Sequence, residues 1–455
     1  MSKTIKLKKG FDINLKGKAE KMIGDTVIAE TYALKPTDFP SITRPKLLVK
    51  EGDNVKAGTP VFFDKMMEDV YYCSPVSGEI AEIKRGAKRK LLEVVILADK
   101  QVEFESLKKW DNSSLKQAEK KDLIEALTKG GVWPHIIQRP YGIVANPEDE
   151  PLNIYISGFD SHPLAPDYGF ALKDDKESFQ AGLSVLAKLT AGKVHLNLNA
   201  DGEVSQLYQG LNDVEINHFQ GAHPVGNVGV QIHHLKPINK GDIVWTVSPI
   251  GVVEIGRLIS QGQYNTEKLI SVAGSEVKSP KYMKIYAGTA IKKVVEGNIE
   301  GDHVRYISGN PLTGEKIALE GYLGFYHNQI SVIPEGDYHE MFGWILPSAK
   351  KLSFQRAFGL LSFLNGKNKE YELDTNTRGE KRAFVQTGVF EKVTPMDILP
   401  VHLLKAIMAE DYDEMEALGI YEVIEEDLAL CEFVDVSKHD VQKIVREGLD
   451  LIRIG

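Results

Sequence analysis

Apolar positions change their rhythm along this chain, and the changes divide it into regions. Between residues 26 and 98, short runs rich in Val, Ile, Tyr and Phe (TVIAETYAL, PKLLVKEG, TPVFFDK, DVYYCSPVSGEI, LLEVVILA) are separated by Gly, Pro and Asp. That pattern predicts short strands joined by tight turns, a hairpin-rich barrel or sandwich. From Ser114 to Leu127, SLKQAEKKDLIEAL spaces Leu115, Leu123, Ile124 and Leu127 for a mostly exposed helix begun at a serine cap. Beyond residue 150, strand-like NIYISGFD, helical KESFQAGLSVLAKLTAG, and strand-like VHLNLNA and VEINHFQG follow one another. Such alternation predicts a parallel sheet covered by helices. Residues 265–325 return to short strands, KLISVAG, MKIYAGTAI and VRYISGN, around a short helix near 290. From residue 395, DILPVHLLKAIMAE, DYDEMEALG, EEDLALCEFV and HDVQKIVREGLDLIRIG carry apolar faces at helical spacing.

Within the first region, KLLVKEGDNVKAGTPVF followed by SPVSGEIAEI resembles the two halves of a lipoyl/biotinyl-type barrel-sandwich hybrid. The expected architecture is therefore multi-domain α/β. It has a barrel-sandwich β domain at 1–105, a Rossmann-like α/β domain at 106–260, a β-grasp (SLBB-like) domain at 261–335, and a mixed, then helical, C-terminal region at 336–455. A length of 455 residues suits about three domains.

Composition narrows the function. The 55 Lys and Arg against 64 Asp and Glu give a net charge of −9, which argues against a general nucleic-acid binder. Two cysteines, Cys73 and Cys431, exclude a disulfide framework and any four-thiolate metal site in one chain, and they fit a reducing compartment. The N-terminus is basic but lacks an apolar core, so no secretory signal is expected. The most apolar long stretch, Trp344 to Leu364, is interrupted by Lys350, Lys351 and Arg356, so membrane attachment is expected only through partners.

Five motifs invite a chemical reading. Lys65 in Asp64-Lys65-Met66-Met67 suggests a carrier lysine, but its unequal offsets from Gly58 and Pro75 favour an ordinary surface lysine. Gly130-Gly131-Val132-Trp133-Pro134 has the glycines of a phosphate-approaching turn, whereas Val132 and Trp133 fill the space a cofactor needs. Gly221-Ala-His-Pro-Val-Gly226-Asn-Val-Gly229 has the wrong spacing, and a proline, for a dinucleotide fingerprint. His218, His223, His233 and His234 lack a carboxylate or thiol at ligand spacing, and on an extended strand His233 and His234 would face opposite ways. No metal is expected. Cys431 has no companion thiol and reads as a core residue.

Taken in order, the stretches GFDINLKG, RPKLLVKEGDNVKAGTPVFFDK, SPVSGEI, GGVWPHIIQRPYG, FDSHPLAPD, GAHPVGNVGVQIHHLKPI and EEDLALCEFV resemble the A-subunit family of sodium-translocating NADH:quinone reductases. The wider resemblance extends to the C subunit of the Rnf complex and the flavin-binding subunit of respiratory complex I. Those relatives use a GGAGFP-like turn for FMN and a cysteine cluster for iron–sulfur. Here the turn has become Gly130-Gly131-Val132-Trp133-Pro134, the cluster segment has shrunk to Cys431, and Asp435 and Val436 stand where many family members carry a second cysteine. The resemblance implies a chain that binds no cofactor itself, with FMN, FAD, riboflavin and iron–sulfur held by partner subunits. It implies a peripheral position on the cytoplasmic face of the bacterial inner membrane, next to the B subunit, in a complex that reduces ubiquinone or menaquinone with NADH and exports sodium. A quinone-proximal group is expected at His223, His233, His234 and Arg257, which mix donors with apolar neighbours. The alternative is a stand-alone NAD(P)H- or flavin-dependent oxidoreductase.

Overall fold

The computed structural model describes residues 4–40, 42–341, 351–354, 369–385 and 388–454. The N-terminal strands are β1 (Thr4–Lys6), β2 (Glu20–Thr26), β3 (Thr31–Leu34), β4 (Pro45–Leu47), β5 (Asn54–Val55), β6 (Pro60–Asp64), β7 (Met67–Cys73), β8 (Gly78–Arg85) and β9 (Leu91–Ala98). The last seven form the barrel-sandwich: an antiparallel sheet β3-β9-β8-β5 faces a second, β4-β6-β7. These strands send Phe62, Tyr72, Ile80, Val94 and Ile96 into the barrel core, and Phe62 stacks on Tyr72 with ring centroids 4.8 Å apart. Two features depart from the sequence reading. Residues before Val27 leave the barrel: β1 pairs with a strand of the α/β sheet and β2 with one of the grasp sheet. Lys65 and Met66 form the two-residue turn between β6 and β7, so Lys65 does stand at an exposed hairpin tip despite its unequal offsets.

The expected bridging helix is two, α1 (Asn112–Gln117) and α2 (Lys120–Lys129). Its cap is Asp111, whose carboxylate accepts from the Ser113 and Ser114 amides, rather than Ser114. Then come β10 (Ile136–Arg139), β11 (Ile143–Val144), β12 (Ile154–Ser157), α3 (Tyr168–Ala171), α4 (Lys176–Leu189), β13 (Val194–Asn199), β14 (Glu215–Gln220), α5 (Val228–Leu235), β15 (Val244–Val247) and α6 (Pro249–Gln261). The sheet runs β1-β14-β13-β12-β15-β10-β11; its first five strands are parallel and the last two antiparallel. Ile154 and Ile156 of β12 face the core made with α4 and α6, whereas Tyr155 faces the core made with α5 and the C-terminal helices. Two glycines let α4 and α6 approach: a Cβ on Gly182 would stand 2.1 Å from the Val252 carbonyl oxygen, and one on Gly256 would stand 1.8 Å from that of Ser178.

The grasp unit comprises β16 (Glu267–Ala273), β17 (Lys281–Tyr286), α7 (Ile291–Val295), β18 (Val304–Ser308), β19 (Glu315–Ile317) and β20 (Gln329–Pro334), in the order β19-β18-β20-β16-β17-β2. Ile270, Val272, Ile285, Ile291, Val294 and Ile330 make its core. The C-terminal region holds α8 (Phe390–Val393), α9 (Pro400–Met408), α10 (Tyr412–Ala417), α11 (Ala429–Val434) and α12 (Val441–Ile454). Most of the stretch from 344 to 364 lies outside the described residues. Among the described residues, no helix is long and apolar enough to cross a membrane.

Candidate functional site

The glycine turn after α2 is where three units meet. Gly131 adopts φ +79°, and a Cβ there would lie 2.8 Å from Cys73 Cβ, so the barrel presses directly on the turn. Val132 and Trp133 are fully buried. Trp133 Nε1 donates to the Ala145 carbonyl at 2.7 Å, and the indole meets Trp245 edge-on at 5.5 Å. Next in the chain, His135 Nε2 lies 2.9 Å from Glu254 Oε2, and the His135 ring stacks on Phe325 of the grasp unit at 4.7 Å. Tyr326 Oη donates to the Pro134 carbonyl at 2.7 Å. Burial pushes the Glu254 carboxyl up, but His135, Lys268 and Arg257 outweigh it and hold it below the usual range. Burial brings Lys268 down to about 8, with its Nζ bonded to the Phe325 and His327 carbonyls and to Asn328 Oδ1.

These residues do not fit a flavin. The indole and the Val132 side chain fill the inner side of the turn, and Cys73 closes the approach to Gly131. A cavity of about 300 Å³ opens on the outer side, beside Gly130, over Leu107, Trp110 and Leu258. Its rim carries Asp122 and Glu125, whose charges oppose a phosphate; of its two lysines, Lys129 is paired with Glu125 and Lys108 lies over the Trp110 ring at 4.7 Å. Nor do the thiols fit a cluster. Cys73 belongs to the barrel core and Cys431 to the C-terminal core. Cys431 Sγ lies 3.3 Å from Thr394 Oγ1, and burial pushes its thiol up to about 12. Among the described residues no group of His, Cys, Asp and Glu could hold a metal ion.

The four residues expected near a quinone do not share a slot. His233 and His234 lie on α5, a helix and not the extended strand that the sequence suggested. His233 is saturated: its Nδ1 bonds Glu422 Oε2 at 2.6 Å, and its Nε2 accepts from the Asp397 amide at 3.0 Å. His234 Nε2 donates to the Pro395 carbonyl at 2.7 Å. Both histidines therefore clamp α5 to the C-terminal region. Arg257 sits on α6, on the opposite face of the sheet, where Asp175 holds its Nη2 at 2.7 Å. The period of two along β12 separates these faces and explains why neighbours in a sequence argument are not neighbours in space.

His223 belongs instead to a buried polar seam that sequence reasoning missed. The loop after β12 supplies Asp160, Ser161 and His162; the loop after β14 supplies His223 and Asn227. His162 Nδ1 bonds Asp160 Oδ1 at 2.6 Å. His223 Nδ1 lies 2.9 Å from Ser161 Oγ, which also accepts from the Gly226 amide. The two imidazoles are 4.7 Å apart. Across from them Arg139, 1% exposed, donates from Nη1 to Asp427 Oδ2 at 2.6 Å and from Nη2 to Glu426 Oε1 at 2.7 Å. Burial, helped by the neighbouring His162, brings His223 down to about 3, so it is neutral. Burial also pulls at His162, but Asp160, then Glu426 and Asp427, hold it above the ordinary imidazole value. Five buried atoms of the seam, Arg139 Nε, His162 Nε2, His223 Nε2, Asn227 Oδ1 and Asp427 Oδ1, have no protein partner. The only advance signal was that RPYG, SHP, GAHPVGNVG and EED all fall in the stretches carrying the family resemblance.

The seam makes pH a stability variable. His162 is raised in the folded state, so its contribution is complete below its unfolded value and is lost as pH rises through the folded one. Urea midpoints of the full chain measured from about pH 6 to about pH 7.5, below the range where Lys268 titrates, are expected to fall above the ordinary imidazole value of about 6.5. In His162→Gln that portion of the decline should vanish; an unchanged profile would show that the seam holds no such proton.

A barrel-sandwich, a parallel-cored α/β unit and a grasp sheet, locked by a helical C-terminus, define a multi-domain α/β protein whose units share one buried junction. Family models match each unit: the NqrA N-terminal barrel-sandwich hybrid domain over residues 5–99, the NqrA second alpha/beta domain over 118–264, and the NQRA C-terminal domain over 269–318. The A subunit of the Na(+)-translocating NADH-quinone reductase of Psychromonas ingrahamii is 36% identical over 449 residues, 98% of this chain and 99% of its own. Its counterpart in Neisseria meningitidis is 37% identical over 451 residues, at 98% and 99% coverage, and that in Yersinia pestis 37% over 452, again at 98% and 99%. This chain belongs to the A-subunit (NqrA) family of the Na(+)-translocating NADH-quinone reductase, and is thus one component of that oxidoreductase complex. A likeness to an NAD+-reducing [NiFe]-hydrogenase in its H2-reduced state, at TM-score 0.36, 14% identity, 51% of this chain and 52% of that one, is too low to carry argument.

Proposed function

We propose that this chain is a scaffold without a cofactor of its own, peripheral on the cytoplasmic face, that docks the B subunit and shapes the quinone-reactive region through that contact. The observation that carries this reading is the filled turn at Gly130–Pro134, with a single buried thiol in the C-terminal segment. The electron path then runs through FMN, FAD, riboflavin and iron–sulfur in partner subunits. Stabilising contacts between three units at the turn suit a part whose task is to hold a fixed surface.

The test is the visible absorption spectrum of the purified chain before and after NADH. A colourless protein with no response is the expected result. A yellow or brown protein that bleaches would make the chain an electron carrier and would revive the stand-alone oxidoreductase. Intact mass of the same sample reports on Lys65, where an unmodified mass is expected. In the assembled complex, quinone reductase activity should disappear only when removing this chain also dislodges the B subunit; full activity without it would sink the docking role.

A further inference from the structure

The tip of the β8–β9 hairpin concentrates positive charge in a chain whose net charge is −9. Lys84, Arg85, Lys88, Arg89 and Lys90 fall within seven consecutive positions. Lys84 is paired with Glu93 at 2.9 Å, and Arg85 Nη1 donates to the Arg89 carbonyl at 3.3 Å. Lys88, Arg89 and Lys90 are exposed, and among the described residues none of the three meets a carboxylate.

The turn itself is closed on the protein side. The Gly86 amide donates to the Lys90 carbonyl at 2.8 Å, and the Lys90 amide to the Ala87 carbonyl at 3.1 Å. Lys88 and Arg89 take φ +54° and +61°, two consecutive non-glycine residues in the left-handed region. L-residues occupy that region at a cost, so the conformation is one the fold imposes on two basic side chains. Beside them Leu92 is 36% exposed, which adds an apolar flank to the basic tip.

A convex tip with three unpaired cations and an apolar edge is complementary to a plane of anionic headgroups, where juxtamembrane Lys and Arg bind additively. The family's complex moves sodium across a membrane, yet no helix among the described residues can cross one. We propose that the β8–β9 tip rests on anionic phospholipid headgroups and orients the chain against the membrane beside its partners. This rests on the reading of the chain as a peripheral component of a membrane complex.

The experiment is co-sedimentation of the full chain with vesicles of phosphatidylcholine alone or phosphatidylcholine with phosphatidylglycerol, at low and high salt. Binding is expected only to the anionic vesicles and should fall as salt screens it. Lys88→Glu/Arg89→Glu/Lys90→Glu should bind more than about 100-fold more weakly, with an unchanged unfolding midpoint. Lys88→Gly/Arg89→Gly, which suits the positive φ angles, should keep the turn and still weaken binding. A wild-type chain that ignores anionic vesicles, or a triple variant that binds them equally well, overturns the proposal. So does a triple variant that binds vesicles normally but no longer co-purifies with the membrane subunits, because the tip would then read a protein surface. The vesicle result is independent of the chain's colour, so its failure is distinguishable from failure of the scaffold reading.

Discussion

Replacing Asp427 by alanine should destabilise the chain by about 3–5 kcal/mol, more than its few atoms suggest. The reason lies with the partner left behind. Arg139 is 1% exposed, and its guanidinium would keep only Glu426 to balance a charge already deprived of water. Burial pushes the Glu426 carboxyl up, so the remaining partner is itself reluctant to ionise there. Asp427 Oδ2 also accepts from the Ile424 amide at 3.0 Å, and that bond closes the turn leading into α11. The loss should appear first as undocking of the C-terminal region, since Arg139, His233, His234 and Asn227 tie it to the α/β unit from one side. Urea unfolding gives the magnitude, and limited proteolysis gives the place: cleavage beyond about residue 390 should precede global unfolding. Pairing Asp427→Leu with Arg139→Met should recover part of the loss, because no unmatched guanidinium remains. If the single and double variants were equally stable, or Asp427→Ala were silent, the seam would not be what holds the C-terminus.

Part of this architecture was legible because its causes are local. Short apolar runs such as Pro60–Asp64 and Leu91–Ala98, bounded by turn residues, depend only on near neighbours in the chain, and they located the barrel. The bulk of Val132 and Trp133 is also local, so the blocked turn could be read from residue types alone. Other features had no local cause. Val228, Val230 and Ile232 are β-branched and favour a strand, yet packing against β12 and the C-terminal core makes α5 helical. The fates of β1 and β2 depend on partners more than 200 residues away, and so does the Arg139–Asp427 pair, separated by 288 positions. The histidines illustrate the limit best. The mixture of donors with apolar neighbours grouped His223, His233 and His234 with Arg257, whereas pleat and helix placement sent Arg257 to the other face and gave His223 to a seam with Asp160 and His162.

The second large effect concerns the turn itself. Trp133→Ala should cost about 3–5 kcal/mol, the range for deleting a large buried aromatic side chain, with a further contribution from leaving the Ala145 carbonyl without its donor. The cavity so made would lie between Trp245, the Cys73 side of the barrel and the Pro134–Tyr326 contact, so all three units should loosen together and not one alone. Urea midpoints followed by far-ultraviolet circular dichroism measure the loss; near-ultraviolet signals from Trp245 and Tyr326 should fall at the same midpoint. The vacated volume also asks whether the indole alone bars a flavin. It should not be the only bar, because Cys73 still closes Gly131, and Asp122 and Glu125 still face the outer side where a phosphate would enter. Titrating Trp133→Ala with FMN should therefore leave flavin fluorescence unchanged and the midpoint where it was. Quenching together with a recovered midpoint would mean that one side chain separates this turn from a working flavin cradle, and that the scaffold role rests on Trp133 and not on the whole junction.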